Sequence, residues 1–211
     1  LILAAQVQRV LLPSIPRSAH FKLSTVFEPQ GFVSGDFYHL EWRETEQVLQ
    51  GFLIDITGHG LATALQTAAV NVLLHQLSDL PQEVSLSERL SWLNHRIPQY
   101  IDESTFAAAI CFEFDFSLAQ LRYASAGINY FLYNGERIEV AGMYLGIRDD
   151  ETYELHSRPI RQGDAVGRPA TVEPPVACGV PPHPNRWESR TRSQRPPHRS
   201  RCGPGATAAP T

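Results

Sequence analysis

Lysine is almost missing from this 211-residue chain: Lys22 stands alone against 17 arginines. Cysteine is nearly as scarce. Cys111, Cys178 and Cys202 are unevenly spaced and form no C-x-x-C pair, which excludes a disulfide framework and a cysteine zinc site and fits a reducing, cytoplasmic setting. No stretch approaches the roughly 18 consecutive apolar residues of a membrane span. Nor does the N-terminus show a basic segment leading into an apolar run and a small-residue cleavage site. These absences predict a soluble chain without direct membrane insertion. Methionine does not open it: Leu1 already lies in what reads as a helix, so a longer protein with an upstream sensor is expected.

Aromatic residues run out after position 164, where Trp187 is the only one, while 10 of the 16 prolines fall there. Charge divides at the same place. Residues 1–164 carry 11 Lys/Arg and 20 Asp/Glu, whereas residues 165–211 carry 7 and 2. The tail offers too little apolar surface to offset the entropy of ordering it, so residues 165–211 are expected to be a disordered Pro/Arg-rich segment. It has no aromatic interleaving and no folded motif, so no nucleic-acid partner is expected. The expected organisation is a linker or signalling helix ending in residues 1–13, a domain over 14–164, and the tail.

What is present is periodic. Leu3, Val7, Val10 and Leu11 recur at helical spacing until Pro13 and Pro16 end the pattern. Phe21, Leu23, Thr25 and Phe27 alternate as a half-buried strand would, and Gly35 to Trp42 and Val48 to Ile56 read as two more strands. Leu61, Ala64, Leu65, Ala68, Val72 and Leu73 return to helical spacing, so strand gives way to helix across Asp55 to Gly60. Ser85 and Glu88 make a capping box for a helix with Leu86, Leu90, Leu93 and Ile97 on its apolar face. Strands over Phe106–Asp115 and Gln120–Ser125 follow, then a hairpin of Tyr130–Tyr133 and Arg137–Val140 about Asn134-Gly135. Runs of strands broken by paired helices predict an α+β fold.

Chemistry concentrates in Gly35-Asp36-Phe37-Tyr38 and in Asp55-Ile56-Thr57-Gly58-His59-Gly60. Two apolar strands each deliver a carboxylate, which is costly to bury unless a cation or hydrogen-bond donors meet it. If those strands are neighbours, Asp36 and Asp55 face one hard divalent ion such as Mg²⁺ or Mn²⁺. The competing reading is structural: Asp36 caps a turn, Asp55 caps the following helix, and the glycines serve only the backbone. His59 is either a proton donor or a solvated turn residue. Spacing alone leaves both pairs of alternatives open. Asp149-Asp150-Glu151 reads as a solvated loop.

The runs Gln6–Pro13, Val33–Tyr38 and Asp55–Gly60 resemble, in order and separation, the SpoIIE/RsbU branch of the PPM-type metal-dependent serine/threonine phosphatases. Ser104–Ala108, Tyr123–Gly127, Tyr144–Ile147 and Gly163-Asp164 are similar to later segments of the same family, so the likeness covers about residues 4–164. It implies an α-β-β-α sandwich, two Mn²⁺ or Mg²⁺ ions, and hydrolysis of phosphoserine or phosphothreonine by a water that the ions activate. By that resemblance Asp55 bridges both ions, the Ile56 carbonyl is a ligand, Asp36 completes one side, and His59 is a weaker catalytic carry-over. The implied substrate is a phosphorylated STAS-type anti-sigma-factor antagonist, the implied signal comes from upstream, and the N-terminal helix is a surface through which two copies could pair.

Departures from the pattern are equally specific. His39 stands where the family usually has a second Asp, and Ile128 replaces the histidine of Ala-Gly-His. After Asp164 the family continues with an apolar strand ending in Thr-Asp-Gly and later supplies a further metal-binding Asp; here only Glu173 and Glu188 remain. A wrong reading frame of GC-rich DNA accounts for the Arg, Pro, Gly and Ala content better than a natural linker does. The expectation is therefore a phosphatase domain incomplete at its C-terminal end, with a rival from another class: a non-catalytic remnant that binds a phosphoprotein without hydrolysing it.

Overall fold

The computed structural model describes residues 2–29, 33–58 and 60–167, so the expectations for His59 and for residues 168–211 lie outside the described residues. A tight turn sets the geometry of everything that follows. It joins β1 (Asp36–Arg43) to β2 (Val48–Ile56), with Gln47 at φ 56° and its N–H donating to the Glu44 carbonyl at 3.3 Å. The Arg43–Val48 rung fixed there carries the antiparallel ladder back to Asp36 opposite Asp55. Strands β3 (Ala107–Asp115), β4 (Gln120–Ala126) and β7 (His156–Pro159) extend the sheet to five strands in the order β1-β2-β3-β4-β7. A second sheet holds β5 (Tyr130–Tyr133) between β6 (Glu136–Glu139) and the two-residue β8 (Val166–Gly167). Its hairpin forms at Asn134-Gly135, both at positive φ as a two-residue turn of this hand requires.

Helices cover one face of the larger sheet. Phe52, Ile54 and Ile56 of β2 and the alanines of β3 and β4 pack beneath Leu73, Leu74 and Leu77 of α2 (Leu61–Ser78) and Leu90 and Leu93 of α3 (Leu86–Arg96). Small residues on the central strands let α3 approach closely. The α3 capping box is formed in full, with the Ser85 hydroxyl accepting from the Glu88 N–H and the Glu88 carboxylate accepting from the Ser85 N–H. One residue on, Arg89 is 2% exposed and donates to the carbonyls of Leu77, Leu80, Pro81 and Val84 at 2.5–3.2 Å, satisfying the end of α2 and the turn after it.

On the other face Leu49, Ile110, Phe114, Leu121 and Tyr123 pack against Phe131, Tyr133 and Val140 of the smaller sheet. The described residues thus build helix, sheet and sheet layers, an α+β sandwich. Three expectations need correcting. Val7 and Val10 of α1 (Ile2–Leu11) are 50% and 83% exposed, while Gln8 is buried. The helix docks through Gln8, which finds backbone partners there, and through Leu11, which packs against the core as expected. In α2, Ala64 and Leu73 are buried as expected, but Leu61, Leu65 and Val72 face solvent, and the buried stripe also takes in Thr67, Val70, Asn71 and Leu74. Finally, residues 21–29 keep the expected in–out alternation but form no strand beyond a single bridge position at Lys22. A strand needs a hydrogen-bonding neighbour, and alternation alone does not supply one. Between this segment and β8 lies an apolar cleft of about 140 Å³, lined by Leu23, Leu53, Phe112, Tyr123 and Val166 among others.

Candidate metal centre

Two strands deliver one carboxylate each to the same end of the larger sheet. Asp36 opens β1, Asp55 is the penultimate residue of β2, and they are direct cross-strand partners. Side chains so paired leave the same face with Cβ atoms about 4.5–5.5 Å apart. Asp36 is exposed and Asp55 half-buried. Two carboxylates in this position repel one another in the absence of a cation. Helix α2 begins from Gly60, which has no side chain of its own to cap it.

Local hydrogen bonds aim the first carboxylate. The Ser34 hydroxyl donates to the Asp36 carboxylate at 3.1 Å and accepts the Asp36 N–H at 3.1 Å. Ser34 is itself gripped by α1: its N–H donates to Gln8 Oε1 at 2.9 Å, and Gln8 Nε2 donates to its carbonyl at 2.6 Å. Neither Gln8 nor Ser34 was singled out by chemistry in the sequence. The available signal was a polar residue at a buried helical position, legible only once the helix face is known.

Gly35 explains itself by contact. A Cβ there would sit 2.4 Å from the Ile56 carbonyl oxygen and 3.1 Å from Thr63 Cγ2, and the Gly35 carbonyl already accepts the Ile56 N–H at 3.1 Å. Gly58, at φ 110°, would bring a Cβ within 2.7 Å of Thr63 Oγ1. Between them Thr57 locks onto Phe106: its N–H and hydroxyl both donate to the Phe106 carbonyl, at 3.0 and 2.9 Å, and its hydroxyl accepts the Phe106 N–H at 3.1 Å. Asp36, Asp55 and the Ile56 backbone are thereby held in one rigid corner.

This corner fits one hard divalent ion: two carboxylates, a carbonyl nearby, and an exposed side open to the waters that Mg²⁺ and Mn²⁺ retain. It does not fit a full shell for two ions. Among the described residues no three His, Cys, Asp or Glu side chains come together as a metal-holding group. Ile128 belongs to the core between the sheets and is 4% exposed, so it plays no part in the corner. Asp150 pairs with Arg148 at 3.3 Å in an exposed turn. Asp164 is an anchor: its carboxylate accepts from the Tyr133 hydroxyl, from Asn134 Nδ2 at 2.9 Å and from the Arg161 N–H at 2.7 Å. Burial alone would raise its pKa, but these hydrogen bonds outweigh burial and hold it below the ordinary carboxylate value.

The model of the family described as Stage II sporulation protein E (SpoIIE) matches residues 47–167. The phosphoserine phosphatase RsbU of Bacillus subtilis (strain 168) is 26% identical over 172 residues, covering 78% of this chain and 50% of RsbU. The chain therefore spans about half the length of that curated relative. Among solved structures, the SiaA-PP2C domain of Pseudomonas aeruginosa superposes with a TM-score of 0.64 at 22% identity, covering 78% of this chain and 68% of that one. The structure of the PP2C phosphatase domain and a fragment of the regulatory domain of SpoIIE from Bacillus subtilis gives 0.52 at 17%, covering 70% and 44%. The shared architecture is that of PP2C phosphatase domains.

Proposed function

Since the chain belongs to the SpoIIE family, we propose that residues 14–164 are the frame of a metal-dependent phosphatase that removes phosphate from phosphoserine or phosphothreonine on a regulatory protein. The observation that carries the reading is the direct opposition of Asp36 and Asp55. An Mn²⁺ or Mg²⁺ ion held by those carboxylates and the Ile56 carbonyl would supply Lewis-acid activation of water and of the phosphoryl group. The protein's own part is orientation: Ser34 holds the Asp36 carboxylate by a hydrogen bond, Gly35 admits the Ile56 carbonyl, and Thr57 fixes the strand end. The family resemblance points to a macromolecular substrate, a phosphorylated STAS-type protein, and exposed Leu61 and Leu65 on the first turns of α2 offer it apolar surface. Val7 and Val10 on α1 supply an apolar face for an upstream segment or a second copy.

A second reading has its own support. With no third acidic or imidazole ligand among the described residues, the corner as it stands favours binding a phosphoprotein over turning it over. The test is Mn²⁺-dependent phosphate release from an aryl phosphate and from a phosphoserine STAS protein. Three proteins are compared: this chain, its Asp55→Asn variant, and a version continued after Asp164 with a family-like strand, Thr-Asp-Gly and a final Asp. The expected result is turnover only in the continued version. Strong turnover by the present chain, lost in Asp55→Asn, would refute the incompleteness. Inactivity of all three would leave the binding reading.

A further inference from the structure

A second group of metal-ligating side chains lies on the opposite, helix-covered side of β1. His39, in the middle of β1, and His75, in the last turns of α2, meet with ring centroids 5.5 Å apart and planes at 81°. One turn before His75 on the same helix, Asn71 is 3% exposed, and its Oδ1 is buried with no hydrogen-bond partner. An orphaned buried carboxamide oxygen is a departure from the rule that interior polar groups are satisfied, and it calls for a donor or a cation.

We propose that His39, His75 and the Asn71 carboxamide oxygen form a site for a transition-metal ion of the Zn²⁺, Ni²⁺ or Cu²⁺ class. Imidazole nitrogen is the preferred ligand of these ions, whereas the carboxylate pair at Asp36 and Asp55 suits hard ions such as Mg²⁺ and Mn²⁺. Metal–nitrogen bonds of about 2.0–2.1 Å put each ring centroid roughly 3 Å from a shared ion, so rings separated as these are can both reach it. Perpendicular planes are no obstacle, because each imidazole donates in its own plane. Burial, and then the neighbouring His75, hold the His39 pKa below its ordinary value, which keeps the ring in its ligating, neutral form. An ion there ties β1 to α2. These are the two elements that flank the carboxylate corner, since Asp36 begins β1 and the Gly58–Gly60 segment leads into α2.

The site stands independently of the phosphatase reading, and the experiment separates them. Zn²⁺ affinity of the full chain is measured by competition with a chromogenic chelator, together with the Zn²⁺-induced shift in melting temperature. The variants are His75→Ala, Asn71→Leu and the exposed-imidazole control His95→Ala, each made in an Asp36→Asn/Asp55→Asn background so that the carboxylate corner takes no Zn²⁺. His75 and His95 are exposed, so their removal leaves the fold in place. Loss of even outer-shell partners lowers metal affinity by about 10–100-fold, so His75→Ala is expected to cost roughly tenfold or more and to abolish the thermal shift. Asn71→Leu is expected to weaken binding as well, while His95→Ala binds Zn²⁺ as the shared background does. Absence of Zn²⁺ binding in the shared background, undiminished affinity in His75→Ala or in Asn71→Leu, or an equal loss in His95→Ala would each overturn the proposal.

Discussion

The two faces of the five-stranded sheet are finished to different degrees. On one side two helices, a full capping box and the Arg89 guanidinium close a core in which Leu74, Leu90 and Leu93 are entirely buried. On the other, three short strands and an extended segment bridged at Lys22 border an apolar cleft, and among the described residues β8 contributes two rungs to β5. The helix side packs α2 and α3 on the central strands β2, β3 and β4, elements whose own pairing is complete without either end of the domain. The sandwich side depends on segments from both ends of the domain, residues 21–29 and 164–167, so a defect in either leaves it open. Stability should be concentrated accordingly.

Leu90→Ala, on the closed side, is expected to cost about 2–5 kcal/mol, because a fully packed site cannot collapse around the cavity. Urea unfolding of the two proteins measures it. Phe112→Ala, on the cleft side and only partly buried, should cost no more than about 2 kcal/mol, since its ring already borders open space. If the two losses were equal, the contrast between the faces would be wrong. Asp164→Asn tests what anchors the short sheet, and should lower stability by roughly 0.5–1.5 kcal/mol near neutrality. Its folded pKa is depressed below the ordinary value of 3.8, so its contribution is complete above that value and is lost as pH falls through the folded pKa. Parent and variant should therefore converge in acid. The smallest effect is expected at the carboxylate corner, where Asp36→Asn removes a like-charge pair. It should stabilise the cation-free protein by about 0.2–1 kcal/mol while eliminating its thermal response to Mn²⁺. Destabilisation without added cation would mean that the Ser34 hydrogen bond outweighs the repulsion.

Local rules carried most of the fold. The β1–β2 strands, the Ser85 capping box and the Asn134-Gly135 hairpin were legible because each is specified by neighbours in sequence. The pairing of Asp36 with Asp55 was legible in part, since two adjacent strands were evident but their register is decided by the Glu44–Gln47 turn. A one-residue slip there would throw Asp36 onto the helix face. The face of α2 was misread because that helix carries apolar residues all round, and that of α1 because Gln8 is held by the Ser34 backbone. The segment over Phe21–Phe27 had the right alternation, but among the described residues it makes a single bridge position at Lys22. His39 and His75 meet across 36 residues of chain, a juxtaposition that no local pattern announces.

Arg89 has a consequence for how the domain opens. One guanidinium, 2% exposed, holds four carbonyls that belong to the end of α2 and the connection to α3. Unwinding the last turn of α2 would strand a buried charge, and unwinding the first turn of α3 would withdraw that charge from all four acceptors. Neither end can fray alone at low cost. The two helices and their connection should thus behave as one cooperative unit, their amides exchanging with solvent at a common rate set by the opening of the pair, while β8 and residues 21–29 exchange far sooner.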